Sequence, residues 1–501
     1  MSLSRTLTPL ALAIAVALAG CAAVGPDYQV PEDAAVNRPA AAGEFQQSHE
    51  AVFAQNSVPG TWWRLYQDPT LDALIEQALQ ANTSLRMAAA NLERARAVTQ
   101  EAQGAQSPTI GVNASPTYGH VSGISAMTPD SVPVNRGSYS SGVQIGYQVD
   151  LFGQIRRAIE AAQGDEQSAQ AAYDATRVTV VAETARAYAD ICSAGMQLAS
   201  AQHSVTVQQQ SLDAVRRLQQ AGRGTALDVT RARSQLQQLQ ASLPPFEAAQ
   251  RTALYRLAAL TGRTPAEMPQ TLLTCHQPPR LTQAIPVGDG AALLRRRPDI
   301  RQAERALAAA TARIGVATAS LYPTISLGLS GGSAGPASMA GERGTFSWSV
   351  GPLISWTVPN TGVAQAQIAQ AKAVASSALA HFDETVLGAL RETESALVSY
   401  ARQLDRHASL EEARHQSAIA AKQAEQLFHA GKTDYLNVLD AQRTLATDES
   451  ALAASQAALS SNQIDVFLAL GGGWQDVPAA PSQAGVASEP SGSADVMPAV
   501  Q

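Results

Sequence analysis

Eight histidines and three cysteines are the residues best equipped for catalysis or metal binding in this 501-residue sequence, and their spacing supports neither. The histidines are scattered, no H-E-x-x-H or C-x-x-C occurs, and the glycine-rich pieces lack the Lys-Ser/Thr of a phosphate-cradling loop. Neither enzymatic activity nor a metal centre is expected. Cys21 alone sits in a setting with chemistry of its own. Arg5 in a short polar start, an apolar run from Leu7 to Leu18 and the stretch Leu18-Ala19-Gly20-Cys21 read as an export signal (1–20) ending in a lipobox. There the thiol would be acylated and Cys21 would become the mature N-terminus, carrying a diacylglycerol and an N-acyl chain; no other cofactor is expected. The alternative is an ordinary signal in which Cys21 is incidental. Ala22 is not the aspartate that marks inner-membrane retention in enteric lipoproteins, so outer-membrane sorting is expected. Cys192 and Cys275 could pair in an exported protein, although nothing in their spacing brings them together.

A net charge of -7 argues against nucleic acid as a partner. After residue 20 no apolar run reaches the 18 or more residues of a spanning helix, so any membrane crossing needs another solution. Four segments supply one. Val143, Ile145, Tyr147, Val149 and Leu151 alternate with Gln144, Gly146, Gln148 and Asp150. Phe346, Trp348, Val350, Ile354 and Trp356 alternate mainly with Ser and Gly, and shorter alternations run through Ile110 to Ser115 and Thr324 to Ser330. Period two, apolar on one face, predicts outer-membrane barrel strands at about 108–118, 139–151, 322–331 and 345–357. Trp348 and Trp356 fit an aromatic belt or ordinary packing between strands. Four strands cannot close around a lumen and open edges do not survive in lipid, so closure calls for more than one chain.

After each strand pair comes a proline-free, Ala/Gln/Glu/Arg/Leu-rich stretch, roughly Gln154 to Ala221 and Gly362 to Ala430, long enough for a helix of ~100 Å. Each meets a glycine, Gly222 or Gly431, and restarts, giving helical hairpins over about 154–243 and 362–470. The two turns lie 209 residues apart, which predicts a tandem duplication spanning 61–270 and 271–473. An extended lipidated segment (21–60) precedes it and a disordered tail (474–501) follows. The fold class is therefore an α+β membrane protein.

The residues that carry a family resemblance are Gly25-Pro26-Asp27-Tyr28-Gln29-Val30-Pro31 after Cys21, Trp62-Trp63 through Asp68-Pro69-Thr70-Leu71, Asp150-Leu151-Phe152-Gly153, Arg296-Arg297-Pro298-Asp299-Ile300 and Leu321-Tyr322-Pro323. In this order they resemble the TolC/OprM-like outer-membrane efflux factors, in the lipidated (NodT-type) branch. The resemblance implies a homotrimer whose chains form one twelve-stranded barrel continued by a helical tube across the periplasm. It also implies a periplasmic adaptor protein and an inner-membrane pump, often of the proton-driven resistance-nodulation-division type.

By the same resemblance the hairpin turns form a periplasmic gate and adaptor-docking end, with Gly222 and Gly431 as turn glycines. Asp440 matches an acidic pore position, where three copies would form a carboxylate ring favouring cations. Leu436 matches an apolar constriction. Two departures are Lys432, where that branch tends to be apolar, and Asn437, in place of an aspartate. Asp228 either bonds between helices to hold a resting state or is a helix-start residue favoured by the dipole. Arg231 and Arg443 are gate ion pairs or solvated i,i+3 partners of Asp228 and Asp440. Arg295-Arg296-Arg297 before Pro298 reads as a helix boundary rather than an anion site. The expected function is passive export of drugs or other toxic small molecules; a secretion duct for polypeptides and a structural periplasmic coiled coil are the alternatives.

Overall fold

The computed structural model describes residues 23–120, 135–281, 283–358 and 361–474. The export signal, Cys21, most of the first inter-strand loop and the tail beyond Trp474 lie outside them. No helix among the described residues is long and apolar enough to cross a membrane.

Four long strands form one antiparallel sheet in the order β1 (Thr109–His120), β2 (Asn135–Val149), β3 (Thr324–Pro336) and β4 (Phe346–Ser355). β2 starts earlier and β3 ends later than the alternation suggests, because glycine, serine and proline carry the pairing on where hydrophobicity stops: Ser138 pairs with Pro336. The register sorts the sheet into rows. Ile110, Ile145, Leu329 and Val350 stand side by side, and the next row holds Gly111, Gln144, Ser330 and Ser349, the last two bonded at 2.8 Å. Because cross-strand neighbours share a face, one side of the sheet is apolar and the other small or polar. Val112 is 77% and Trp348 68% exposed, a face a water-soluble sheet would bury.

Among the described residues, eight helices of more than ten residues continue the strands: α1 (Pro69–Ala81), α2 (Thr83–Gly104), α3 (Gln154–Gln220), α4 (Ala226–Ala241), α5 (Leu243–Leu260), α6 (Pro298–Ala319), α7 (Thr361–His429) and α8 (Tyr435–Ala469). The return arm of the first hairpin breaks at Ser242, ahead of Pro244 and Pro245, and resumes as α5. Near the sheet the helices lie in the order α2, α3, α6, α7, matching the strands they adjoin; farther away the order is α5, α3, α8, α7. An equatorial core joins the two halves. Trp62 stacks on Phe467 with ring centres 4.6 Å apart, and Asp68 caps α1 by accepting from the amides of Thr70 and Leu71 while also accepting from the Tyr188 hydroxyl at 3.0 Å.

The joint between sheet and helices is built from the Asp150-Leu151-Phe152-Gly153 run. Asp150 accepts from the Ile155 and Arg156 amides at 3.0 and 2.9 Å, holding the start of α3, and Phe152 stacks on Tyr322 at 4.5 Å. Gly153 has φ +78°, and a Cβ there would collide with Ala23 of the N-terminal segment. That segment is fixed by Arg157, whose side chain is 6% exposed and reaches Asp27 at 2.6 Å, Glu160 at 2.7 Å and the carbonyls of Val24 and Gly25. Burial alone would lower the Arg157 pKa, but the bonds to the two carboxylates outweigh it and raise it. The segment then runs along α7, where Asp383 accepts from the Ala35 amide and Glu394 from that of Gln46, and pairs Phe53–Ala54 with Ile285–Pro286.

Cys192 and Cys275 form a disulfide, which spacing did not foresee. The connector after α5 folds back across α3, where Gln250 bonds the carbonyls of both Ile191 and Leu273, and this return sets the cysteines side by side. Replacing both by serine frees a cross-link across 83 positions and should lower stability by about 4 kcal/mol on chain-entropy grounds. The denaturation midpoint of the Trp62/Trp63 fluorescence under non-reducing conditions reads this directly; an unmoved midpoint would show that the cross-link adds nothing.

Candidate functional site

The two hairpin turns are built alike. α3 ends as Gly222, at φ +71°, donates to the Gln219 carbonyl and Arg223 donates to that of Leu218; α7 ends as Gly431, at φ +69°, donates to Phe428 and Lys432 to Leu427. This is the 6→1 closure that a left-handed glycine allows. Each returning helix then starts at a side-chain cap. Thr225 and Asp228 cap α4 reciprocally: the Asp228 amide donates to Thr225 Oγ1 at 3.2 Å, and Asp228 Oδ2 accepts from the Thr225 amide at 3.1 Å and hydroxyl at 2.6 Å. Asp434 caps α8 through the Asn437 amide at 3.2 Å, and Asn437 Nδ2 donates to Thr433 Oγ1 at 2.7 Å.

These bonds give Asp228 a helix-start role within its own turn, and Asn437 a similar one. The aspartate that holds the helix start has moved from the third helical position in α4 to the cap itself in α8, so an asparagine there leaves the turn intact. Leu436, 47% exposed, projects from the first turn of α8, and Asp440 lies one turn on. Asp440 accepts from Arg443 at 2.5 Å, an exposed i,i+3 pair, while among the described residues no ion pair joins Arg231 to Asp228. Lys432 is exposed, and no ion pair among the described residues includes it.

Tyr435 is the residue that sequence reasoning left without a role. It is buried where the two hairpins meet, in a cluster with Leu212, Val215, Val229, Ala232, Leu236 and Val438, and its hydroxyl lies 2.9 Å from Ser211 Oγ on α3. Phe428 packs against its ring at 5.8 Å. Burial pushes the Tyr435 pKa up, which keeps the hydroxyl protonated for that bond. An aromatic directly after a capping aspartate was the available signal. The Arg295–Arg297 run is structural: Arg297 binds Asp299 at 2.6 Å, Glu392 at 3.0 Å and the Ala469 carbonyl at 2.9 Å, tying α6 to α7 and to the end of α8.

Thr225→Ala and Asp228→Ala each remove half of the reciprocal cap and should cost about 1 kcal/mol locally. Amide hydrogen exchange should speed up over residues 222–229 and stay unchanged over 433–438; equal exchange in parent and variants would show that the cap does not hold the turn.

The outer membrane efflux protein family matches residues 74–263 and 291–472. The toluene efflux pump outer membrane protein TtgC of Pseudomonas putida is 29% identical over 484 residues, covering 95% of this chain and 97% of TtgC. Outer membrane protein OprJ of Pseudomonas aeruginosa is 30% identical, over 93% of this chain and 96% of OprJ. The solved outer-membrane channel OprN superposes with a TM-score of 0.83 at 36% identity, over 90% of this chain and 99% of that one. With the four-stranded sheet and both helical hairpins falling within the matched residues, the chain belongs to the outer membrane efflux protein family.

Proposed function

We propose that three copies of this outer-membrane efflux channel close head to tail into a twelve-stranded barrel and a helical tube, through which toxic small molecules pass from a partner pump to the exterior. The observation that carries it is the sheet: β1 and β4 are long strands with bare outer edges and an exposed apolar face, a combination that lipid tolerates only in a closed barrel. Helix order repeats strand order, so joining β4 of one copy to β1 of the next also brings α7 against α2.

The equal turns at Gly222 and Gly431, 209 positions apart, support a tandem repeat, and two units in each of three chains give six hairpins around one mouth. That mouth is the docking end for a periplasmic adaptor and an inner-membrane pump, of the resistance-nodulation-division type. Leu436, Asp440, Asp228, Lys432 and Asn437 lie at its rim. Cys21 carries the lipid, two residues before Ala23, which is packed against Gly153 at the base of the sheet.

Native mass spectrometry and negative-stain imaging of detergent-extracted protein should show an acylated trimer shaped as a long hollow cylinder, and the trimer should conduct ions in a planar bilayer. A monomer, a solid rod or an insulating trimer would overturn the duct.

A further inference from the structure

We propose that Arg231 is a second charged residue of the pore constriction, level with Asp440, and that the mouth in consequence favours anions over cations. This rests on the trimeric duct proposed above.

The register comes from the caps. α4 begins after Thr225 and α8 after Asp434, so Leu227 and Leu436 are each the second helical residue and Arg231 and Asp440 each the sixth. Both pairs are four residues apart, which places leucine and charge on one face of each helix. That face is free in both: Leu227 is 56% and Leu436 47% exposed, while Val229 and Val438, between them in sequence, are buried together. If Leu436 and Asp440 face the pore, Leu227 and Arg231 face it from the neighbouring hairpins. Six hairpins then present alternating Asp440 and Arg231 at one height.

The sign of the whole mouth follows. Asp440 is already held by Arg443 on its own helix, whereas no ion pair among the described residues includes Arg231. Residues 222–234 hold three arginines and one aspartate, and the matching 431–443 hold Lys432 and Arg443 against Asp434 and Asp440. The tip is net basic in a chain whose total charge is -7, so the excess is local. The inversion recurs on the other arms, where Asp213 and Arg216 of α3 stand 209 positions before Lys422 and Glu425 of α7. Unlike charges at matched positions attract neighbouring hairpins, and a constriction of net positive charge raises the local concentration of anions.

The test is the reversal potential of single trimers in a planar bilayer under a potassium chloride gradient. The parent should pass chloride in preference to potassium. Arg231→Ala should shift the permeability ratio toward potassium by about threefold and Arg231→Glu further. Asp440→Ala should shift it toward chloride, and the exchange of Arg231→Asp with Asp440→Arg should restore the parent value. Should those variants fail to assemble, Arg231→Cys provides the same reading in place. Cys192 and Cys275 are already joined, so a cationic thiol reagent should return the parent potential and an anionic one move it toward potassium. A potassium-selective parent, or a potential unmoved at Arg231, overturns the proposal and leaves the duct standing. Trimers that never conduct would remove the duct and this proposal together.

Discussion

Everything in this chain is arranged around backbone groups that lipid cannot satisfy. Each unpaired amide or carbonyl in hydrocarbon costs several kcal/mol, and among the described residues of one copy the outer edges of β1 and β4 pair with no other strand. The apolar rows through Ile110, Ile145, Leu329 and Val350 commit that sheet to lipid on one face, while the Gln144–Ser330–Ser349 row commits the other to water. Closure around a wet lumen, as in the proposed trimer, satisfies both. The short strand count thus turns a hydrogen-bonding requirement into a demand for identical neighbours.

Closing a sheet in this way is useful only if the order of strands is passed on to the helices beneath. The joint residues do that. Asp150 holds the α3 amides, Phe152 and Tyr322 stack across the two strand-to-helix passages, and Trp356 bonds the Leu321 carbonyl at 3.2 Å. Below them the N-terminal segment crosses from Gly153 to α7, held by Arg157, Asp383 and Glu394. Helices from both halves of the chain are bound by one strap. Arg297 performs the same service near the equator, where α6, α7 and the end of α8 meet.

The period-two segments, the two long proline-free helices and the turn glycines were legible in the sequence because each depends on local chemistry: alternation, helix propensity and the freedom of glycine at positive φ. The Cys192–Cys275 bond and the Arg157 cluster were not, since each joins residues brought together only by packing. Gly25 to Val30 marked the family in the sequence, but only the structure shows Asp27 reaching the buried arginine. At the tip the caps were half legible. Asp228 read equally well as a gate bond or a helix start, and its cap bonds to Thr225 came into view only with the structure. Tyr435 offered one weak signal, its place directly after a capping aspartate, because a single aromatic at a helix start acquires meaning only when a second hairpin lies against it.

A wide passive tube has little chance to recognise what moves through it. Alanine, serine and glutamine make up a large share of the two long helices, and a solute farther from the wall than the Debye length of about 8 Å at physiological salt feels charges only weakly, through screening water. Discrimination can act only where the walls come within that distance of the axis. In the proposed trimer that is the ring of hairpin turns, where the few charges around Gly222 and Gly431 would weigh more than the whole chain's net charge. The reciprocal cap at Thr225 and Asp228, and its counterpart at Asp434, fix the start of the returning helices and hence, in the proposed duct, which side chains would meet a passing solute.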